Sequence, residues 1–200
     1  MSAAPEQRKR APLILASSSP RRKALLEMIG VVPDAILPAD IDETPHPKEL
    51  PRDLALRLAR EKAQKIAADH PGAYVLGSDT VVGAGRRILP KAEDEQTARD
   101  CLALLSGGSH RVYSGVALAA PDGKLLSRVV ETRVKVRLLD AAAVDEYVAS
   151  GEWNGKAGGY AIQGLFAKHV VSIIGSHPSV MGLPVYETAN LLAGAGWRRK

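Results

Sequence analysis

Several short stretches hold residues whose types and spacing could do chemistry. The first is "SSSPRRKALLEMIG". Ser19 followed by Pro20 reads as an N-cap and first helical residue, because proline lacks the donor that this position leaves unpaired. Arg21 and Arg22 then fall in the first turn, where the helix dipole already presents positive charge and an exposed cation costs about 0.3–1 kcal/mol. A helix N-terminus carrying two guanidinium forks is an anion site, and one charge-assisted hydrogen bond, at about 1.5–3 kcal/mol, outweighs that cost. The bland alternative is a solvated surface pair.

The second stretch is "GSDT", Gly77 to Thr80. Asp79, leaving an apolar strand, is placed as a metal ligand or general base, or as an ordinary turn residue. Asp40, Asp42 and Glu43 form an acidic cluster that either shares a divalent cation or is simply hydrated. Lys62 lies on the ladder Leu54, Leu58, Lys62, Ile66 and interrupts an apolar helical stripe. It either snorkels to solvent or points its ammonium into a cleft. Lys91, after the apolar "RILP", has the same two readings. Finally, "GKAGGYAIQG" joins a mobile glycine loop to the amide of Gln163; it brings backbone close to a ligand or forms a plain hairpin.

These residues need elements to hold them. "PLILAS" reads as a short buried strand, followed by the helix from Ser19 with Leu25, Leu26, Met28 and Ile29 as its apolar face and Gly30 as its stop. The prolines of "PADIDETPHPKELP" force a loop. "RDLALRLAREKAQKIAADHPG" is a helix, "AYVLGSDTVV" a strand and "AEDEQTARDCLALLSGG" a helix with acids at its start. "HRVYSGVALAA" and "LLSRVVETRVKVRLL" are strands joined by the turn "PDGK". In the second, Val130, Thr132, Val134, Val136 and Leu138 alternate with charged residues, which gives a half-buried strand. A helix from Asp140, the strand "HVVSIIG" and a helix from about Leu183 complete a mixed-sheet α/β pattern.

Composition narrows the function classes. The chain has 200 residues, 46% hydrophobic and 24% charged, which is ordinary for one globular domain. Its net charge of +5 is carried by the tails, through Arg8, Lys9, Arg10, Arg198, Arg199 and Lys200 against Glu6, so residues 11–197 are neutral overall. No basic stripe is interleaved with aromatics, which argues against nucleic acid as a partner. The lone Cys101 reads as a core thiol, with no zinc spacing around it. "APLILA" is too short for a signal peptide, and no stretch approaches the roughly 20 apolar residues of a membrane span. A cytoplasmic protein without a membrane partner is expected. The P-loop, dinucleotide, H-E-x-x-H and G-x-S-x-G motifs are all absent.

In order, "LASSSPRRKALL", "EKA" at 61–63, "SDTVV", "LLSG" with "HRVYSG", and "GGYAIQG" resemble the Maf-like nucleotide pyrophosphatases over about residues 13–195. Two departures stand out: Pro90 and Ala92 flank Lys91 where relatives often read "GKP", and Phe166 replaces a frequent small residue. The resemblance implies one elongated, two-lobed α/β domain around a mixed, partly antiparallel sheet, with the site in the cleft between lobes. That domain would span 12–197, between a disordered basic leader at 1–11 and a basic tail at 198–200.

The implied activity is hydrolysis of nucleoside triphosphates to monophosphate and pyrophosphate with a divalent metal cation, Mg²⁺ or Mn²⁺. By the same resemblance Asp79 is the catalytic acid–base residue and, with Glu43, binds metal. Arg21, Thr80 and Gln163 govern substrate choice, while Arg22, Lys62 and Lys91 hold the triphosphate. Gln163 offers both a donor and an acceptor, which suits the O4 and N3–H edge of uracil or thymine. A glutamate, as in the 7-methylguanine branch, suits guanine instead, so dTTP and UTP are the expected substrates. Other readings are a 7-methyl-GTP pyrophosphatase and a non-enzymatic nucleotide-sensing regulator of cell division. The resemblance also admits a homodimer.

Overall fold

The computed structural model describes residues 11–198. The expected leader at 1–11 and tail at 198–200 fall outside them, except for Ala11 and Arg198. Strand β1 (Leu13–Ala16) is buried throughout. Helix α1 (Pro20–Met28) begins as expected at Ser19, although the Ser19 side chain makes no capping bond. Its stop is a Schellman motif: Gly30, at φ 70°, donates to Glu27 and Val31 donates to Leu26. Met28 is 63% exposed, so it is not part of the apolar face; Leu25 and Leu26 alone are buried.

After β2 (Ala35–Ile36) comes the long α2 (Pro51–Asp69), with Asp53 in its first turn. Then follow β3 (Tyr74–Ala84), β4 (Arg87–Leu89), β5 (Lys91–Ala92) and α3 (Glu95–Leu105), which is capped by the Asp94 side chain at Thr97 N–H. The hairpin is β6 (Ser109–Ala119) and β7 (Leu125–Val136). Leu138 lies beyond this strand and is 75% exposed, so the expected alternation ends two residues early, where the chain turns toward α4 (Ala141–Ala149). Next are β8 (Lys156–Ala157), a 3₁₀ turn at Leu165–His169, β9 (Val170–Ile174), α5 (His177–Met181) and α6 (Val185–Gly194).

The main sheet runs β2-β1-β3-β6-β7-β9, with β4 also on β3, while β5 and β8 pair separately. β1 is parallel to β2 and β3; β4, β6, β7 and β9 pair antiparallel, so the sheet is mixed. β3 is paired along one edge by β6 without a break. On its other edge β1 stops at Ala16 opposite Gly77, and the antiparallel β4 reaches back only as far as its last residue, Leu89, opposite Val82. Ser78 to Val81 therefore pair only with β6.

Two main cores flank this notch. Leu13, Leu15, Leu25, Leu26, Leu76, Val116 and Leu118 pack with α6, while Val82, Val112, Val134 and Val136 pack with α3 and α4. Cys101 is buried in the second core, as expected. α2 lies across the opposite face of β3 and β6, and it lies very close. A Cβ on Gly77 would stand 2.3 Å from the Ala59 carbonyl oxygen, and one on Gly115 would stand 2.1 Å from that of Ala55. Only glycine admits the helix backbone at this distance.

Candidate active site

The close approach of α2 sets the site. Side chains alternate along a strand, so Gly77 and Asp79 share the face that meets α2. Asp79 is 3% exposed and Lys62 6%, and Lys62 Nζ donates to Asp79 Oδ1 at 2.6 Å. The same ammonium lies 2.6 Å from Glu43 Oε1, and Lys91 pairs with Glu43 Oε2. Burial opposes the charge on Glu43, but the hydrogen bonds and charges of Lys62 and Lys91 override it and hold its carboxyl at about 2. Of the two readings for Lys62, the inward one is what the fold adopts. The acidic cluster does not hold together: Asp40 and Asp42 are exposed, Asp42 is engaged with Thr44 N–H, and Glu43 alone turns into the cleft.

Arg21 and Arg22 answer the anomaly at the start of α1. Arg21 Nε donates to the Met181 carbonyl at 3.2 Å, and Arg22 Nε to that of Gly182 at 2.9 Å. Both carbonyls end α5, so the cations at one helix start compensate the negative end of another. Arg22 Nη1 also reaches Ser17 Oγ at 3.1 Å. Burial lowers the pKa of both arginines, opposed in Arg22 by the charges of Asp79 and Glu43. They are neither a solvated pair nor wholly free for a ligand.

The glycine-rich segment is better anchored than a mobile loop. Lys156 and Ala157 pair with Ala92 and Lys91. Ala161 N–H donates to the Tyr147 hydroxyl at 2.9 Å and Leu165 N–H to Glu152 Oε2 at 2.8 Å, pinning the backbone on both sides of Gln163. The Gln163 amide itself is exposed, with no partner among the described residues. Phe166 is fully buried against Tyr147, Tyr160 and His169, so its bulk goes to the core and away from the ligand space.

A cleft of about 410 Å³ opens at the notch in β3, and all eight residues singled out in the sequence line it: Arg21, Arg22, Glu43, Lys62, Asp79, Thr80, Lys91 and Gln163. Asp79 and Thr80 point to opposite faces of β3, yet both reach this space because the strand edge between them is uncovered. Sequence reasoning missed Lys156, which lines the same cleft; burial and the nearby Arg21 lower its pKa. The only hint was its place between glycines. The lining thus carries five cations against two carboxylates, which suits a polyanion.

No group of three or more His, Cys, Asp or Glu could hold a metal by itself among the described residues. Glu43 and Asp79 nevertheless converge on one ammonium, so their oxygens lie close together. Two carboxylates completed by phosphate oxygens and water form a donor set that Mg²⁺ accepts.

A mixed α/β sheet with a cationic cleft and a carboxylate pair at a strand-edge notch belongs to the general class of phosphate-ester and anhydride binders. The comparisons narrow that class. The chain belongs to the Maf-like protein family, whose model matches residues 12–195. It is 58% identical to a dTTP/UTP pyrophosphatase of Rhodospirillum rubrum over 96% of this chain and 92% of the relative. It is 59% identical to one of Caulobacter vibrioides, over 93% and 96% respectively. A solved nucleoside-triphosphatase, a dITP/XTP pyrophosphatase of Mycobacterium abscessus, covers 91% of the chain and is itself 92% covered, at 16% identity and a TM-score of 0.45.

Proposed function

We propose that this protein hydrolyses dTTP and UTP to the nucleoside monophosphate and pyrophosphate. One observation carries the reading: a buried carboxylate, Asp79, sits at the edge of a cleft whose other charged groups are mostly cations, in a chain 58% identical to a dTTP/UTP pyrophosphatase. Arg22, Lys62 and Lys91, joined by Lys156, bind the triphosphate, and Arg21, Thr80 and Gln163 govern the choice of substrate. Water attacks the α-phosphorus as the bond to the bridging oxygen breaks, and pyrophosphate leaves with that electron pair. Asp79 orients the water and takes its proton. Lys62 holds Asp79 Oδ1, which leaves Oδ2 for that task.

Glu43 and Asp79 would hold a divalent cation, Mg²⁺ or Mn²⁺. When bound, it supplies Lewis-acid polarisation of the phosphoryl oxygens and neutralises charge on the leaving group. Both carboxylates would then exchange part of their pairing with Lys62 and Lys91, freeing ammonium groups to face phosphate. The cytoplasm, where such nucleotides are met, is the setting of the same proposal. No described helix is long and apolar enough to cross a membrane.

The test is product analysis by phosphorus NMR with Mg²⁺ and a panel of nucleoside triphosphates. Monophosphate and pyrophosphate from dTTP and UTP are expected. Release of orthophosphate, or nucleotide binding without turnover, would overturn the reading.

A further inference from the structure

Thr80 Oγ1 lies 3.1 Å from Ser114 Oγ, a distance that leaves open which hydroxyl donates. The second bond of Ser114 settles it. Ser114 Oγ is 2.6 Å from the carbonyl oxygen of Ser179, and a carbonyl only accepts, so the single hydroxyl proton of Ser114 is spent there. Ser114 and Ser179 are both fully buried, which shields that bond from solvent. The proton between Thr80 and Ser114 therefore comes from Thr80. With it directed inward, Thr80 offers the cleft lone pairs only.

We propose that Ser114 is a positioning residue that fixes Thr80 as a hydrogen-bond acceptor, so that the site prefers a pyrimidine carrying a proton on N3. This rests on reading the cleft as a nucleoside triphosphate site. Uracil and thymine have that proton. Cytosine presents a bare N3 lone pair, which would face the lone pairs of Thr80 and leave both unsatisfied. Gln163 does not make this distinction alone: its amide holds a donor and an acceptor, and nothing among the described residues stops it turning over to suit either ring edge. The discrimination lies in the residue whose proton cannot move.

The experiment measures kcat/KM for UTP and CTP, by pyrophosphate release, in the wild type, Ser114→Ala, Thr80→Val and the double variant. The wild type is expected to prefer UTP. In Ser114→Ala the Thr80 hydroxyl is free to rotate, and the UTP:CTP ratio should fall about tenfold, the worth of one hydrogen bond. Thr80→Val should lower it similarly, and the double variant no further than either single one. Should Ser114→Ala fail to fold, Ser114→Cys, of similar size and with a weak donor, carries the same expectation, while Ser114→Thr keeps the hydroxyl and the ratio. An unchanged ratio in Ser114→Ala or Ser114→Cys, an additive double variant, or a wild type indifferent to the two nucleotides overturns the role of Ser114. A wild type that releases no pyrophosphate from either nucleotide overturns instead the reading of the cleft on which it rests.

Discussion

Lys62 Nζ lies 2.6 Å from Asp79 Oδ1, with both side chains almost wholly withdrawn from water. The two ends of this pair are not equivalent. Lys62 also holds Glu43, whereas Asp79 has Lys62 as its one hydrogen-bonded partner among the described residues, with Arg22 near enough to act on it through charge. Removing either member should therefore have opposite consequences for fold and chemistry.

Asp79→Asn keeps the shape and leaves Lys62 paired with Glu43. The melting temperature should stay within a few degrees while kcat for UTP falls at least about 100-fold, the scale of a lost general base. Thermal denaturation beside steady-state kinetics checks both. Substantial residual turnover would remove Asp79 from the mechanism.

Lys62→Met leaves the buried Asp79 carboxylate without its hydrogen-bonded cation, with only the charge of Arg22 nearby among the described residues. Breaking a buried pair from one side costs about 3–5 kcal/mol, so urea denaturation should show a loss of that order at neutral pH. A change below about 1 kcal/mol, as for an exposed pair, would mean that water reaches Asp79 freely.

Gly115→Ala tests the approach of α2. Its Cβ would meet the Ala55 carbonyl at 2.1 Å, and backbone cannot give way as a side chain can. Overpacking of this kind costs about 1–3 kcal/mol or more, and the displaced helix carries Lys62 away from Asp79, so activity and stability should fall together. Gly194→Ala, in α6 with nothing within 4 Å, is the control and should be neutral or slightly stabilising.

Lys156→Met should raise KM for UTP about tenfold, the loss of one charge-assisted hydrogen bond, with a smaller change in kcat. Its melting temperature should not move, because among the described residues the Lys156 ammonium otherwise donates only to the Asn154 carbonyl beside it. An unchanged KM would place Lys156 outside the substrate's reach.

Glu43 gives a pH test with a definite sign. Its carboxyl titrates near 2 when folded, held down against burial by Lys62 and Lys91, and near 4.5 otherwise. A depressed carboxylate stabilises above the unfolded value, and that contribution disappears as pH falls through the folded one. The stability difference between wild type and Glu43→Gln should thus be constant above about pH 5 and shrink between 4.5 and 2. A difference growing on acidification would contradict the pairing.

What could be read in advance follows the range of the interactions. The longer strands β1, β3, β6, β7 and β9, with α1 and α2, were legible because periodicity, caps and turn residues are local. The arginines were legible as an anomaly but not in their resolution, since their carbonyl partners lie 160 residues away. Lys62 stayed ambiguous because an interrupted stripe looks alike whether the lysine leaves or enters the core. Lys156 escaped because β5 and β8 are two residues each, too short for any alternation. Met28 and Leu138 were misplaced where an apolar residue fell at the end of an element, beyond the neighbours that would cover it. α5 has five residues and no period to detect, though Ser176 with Pro178 was a start signal.

The length of β1 is a functional quantity in its own right. The strand ends at Ala16, and the three serines that follow turn away to start α1. If the chain stayed extended for two or three residues more, it would hydrogen-bond along Ser78 to Val81 and roof the place where Asp79 and Thr80 emerge together. Every charged group could then remain where it is while the opening was sewn shut. Access is granted here by a strand that stops early, so insertions or β-favouring substitutions at Ser17–Ser19 threaten entry to the cleft, over and above any loss of the Ser17 hydroxyl's contact with Arg22.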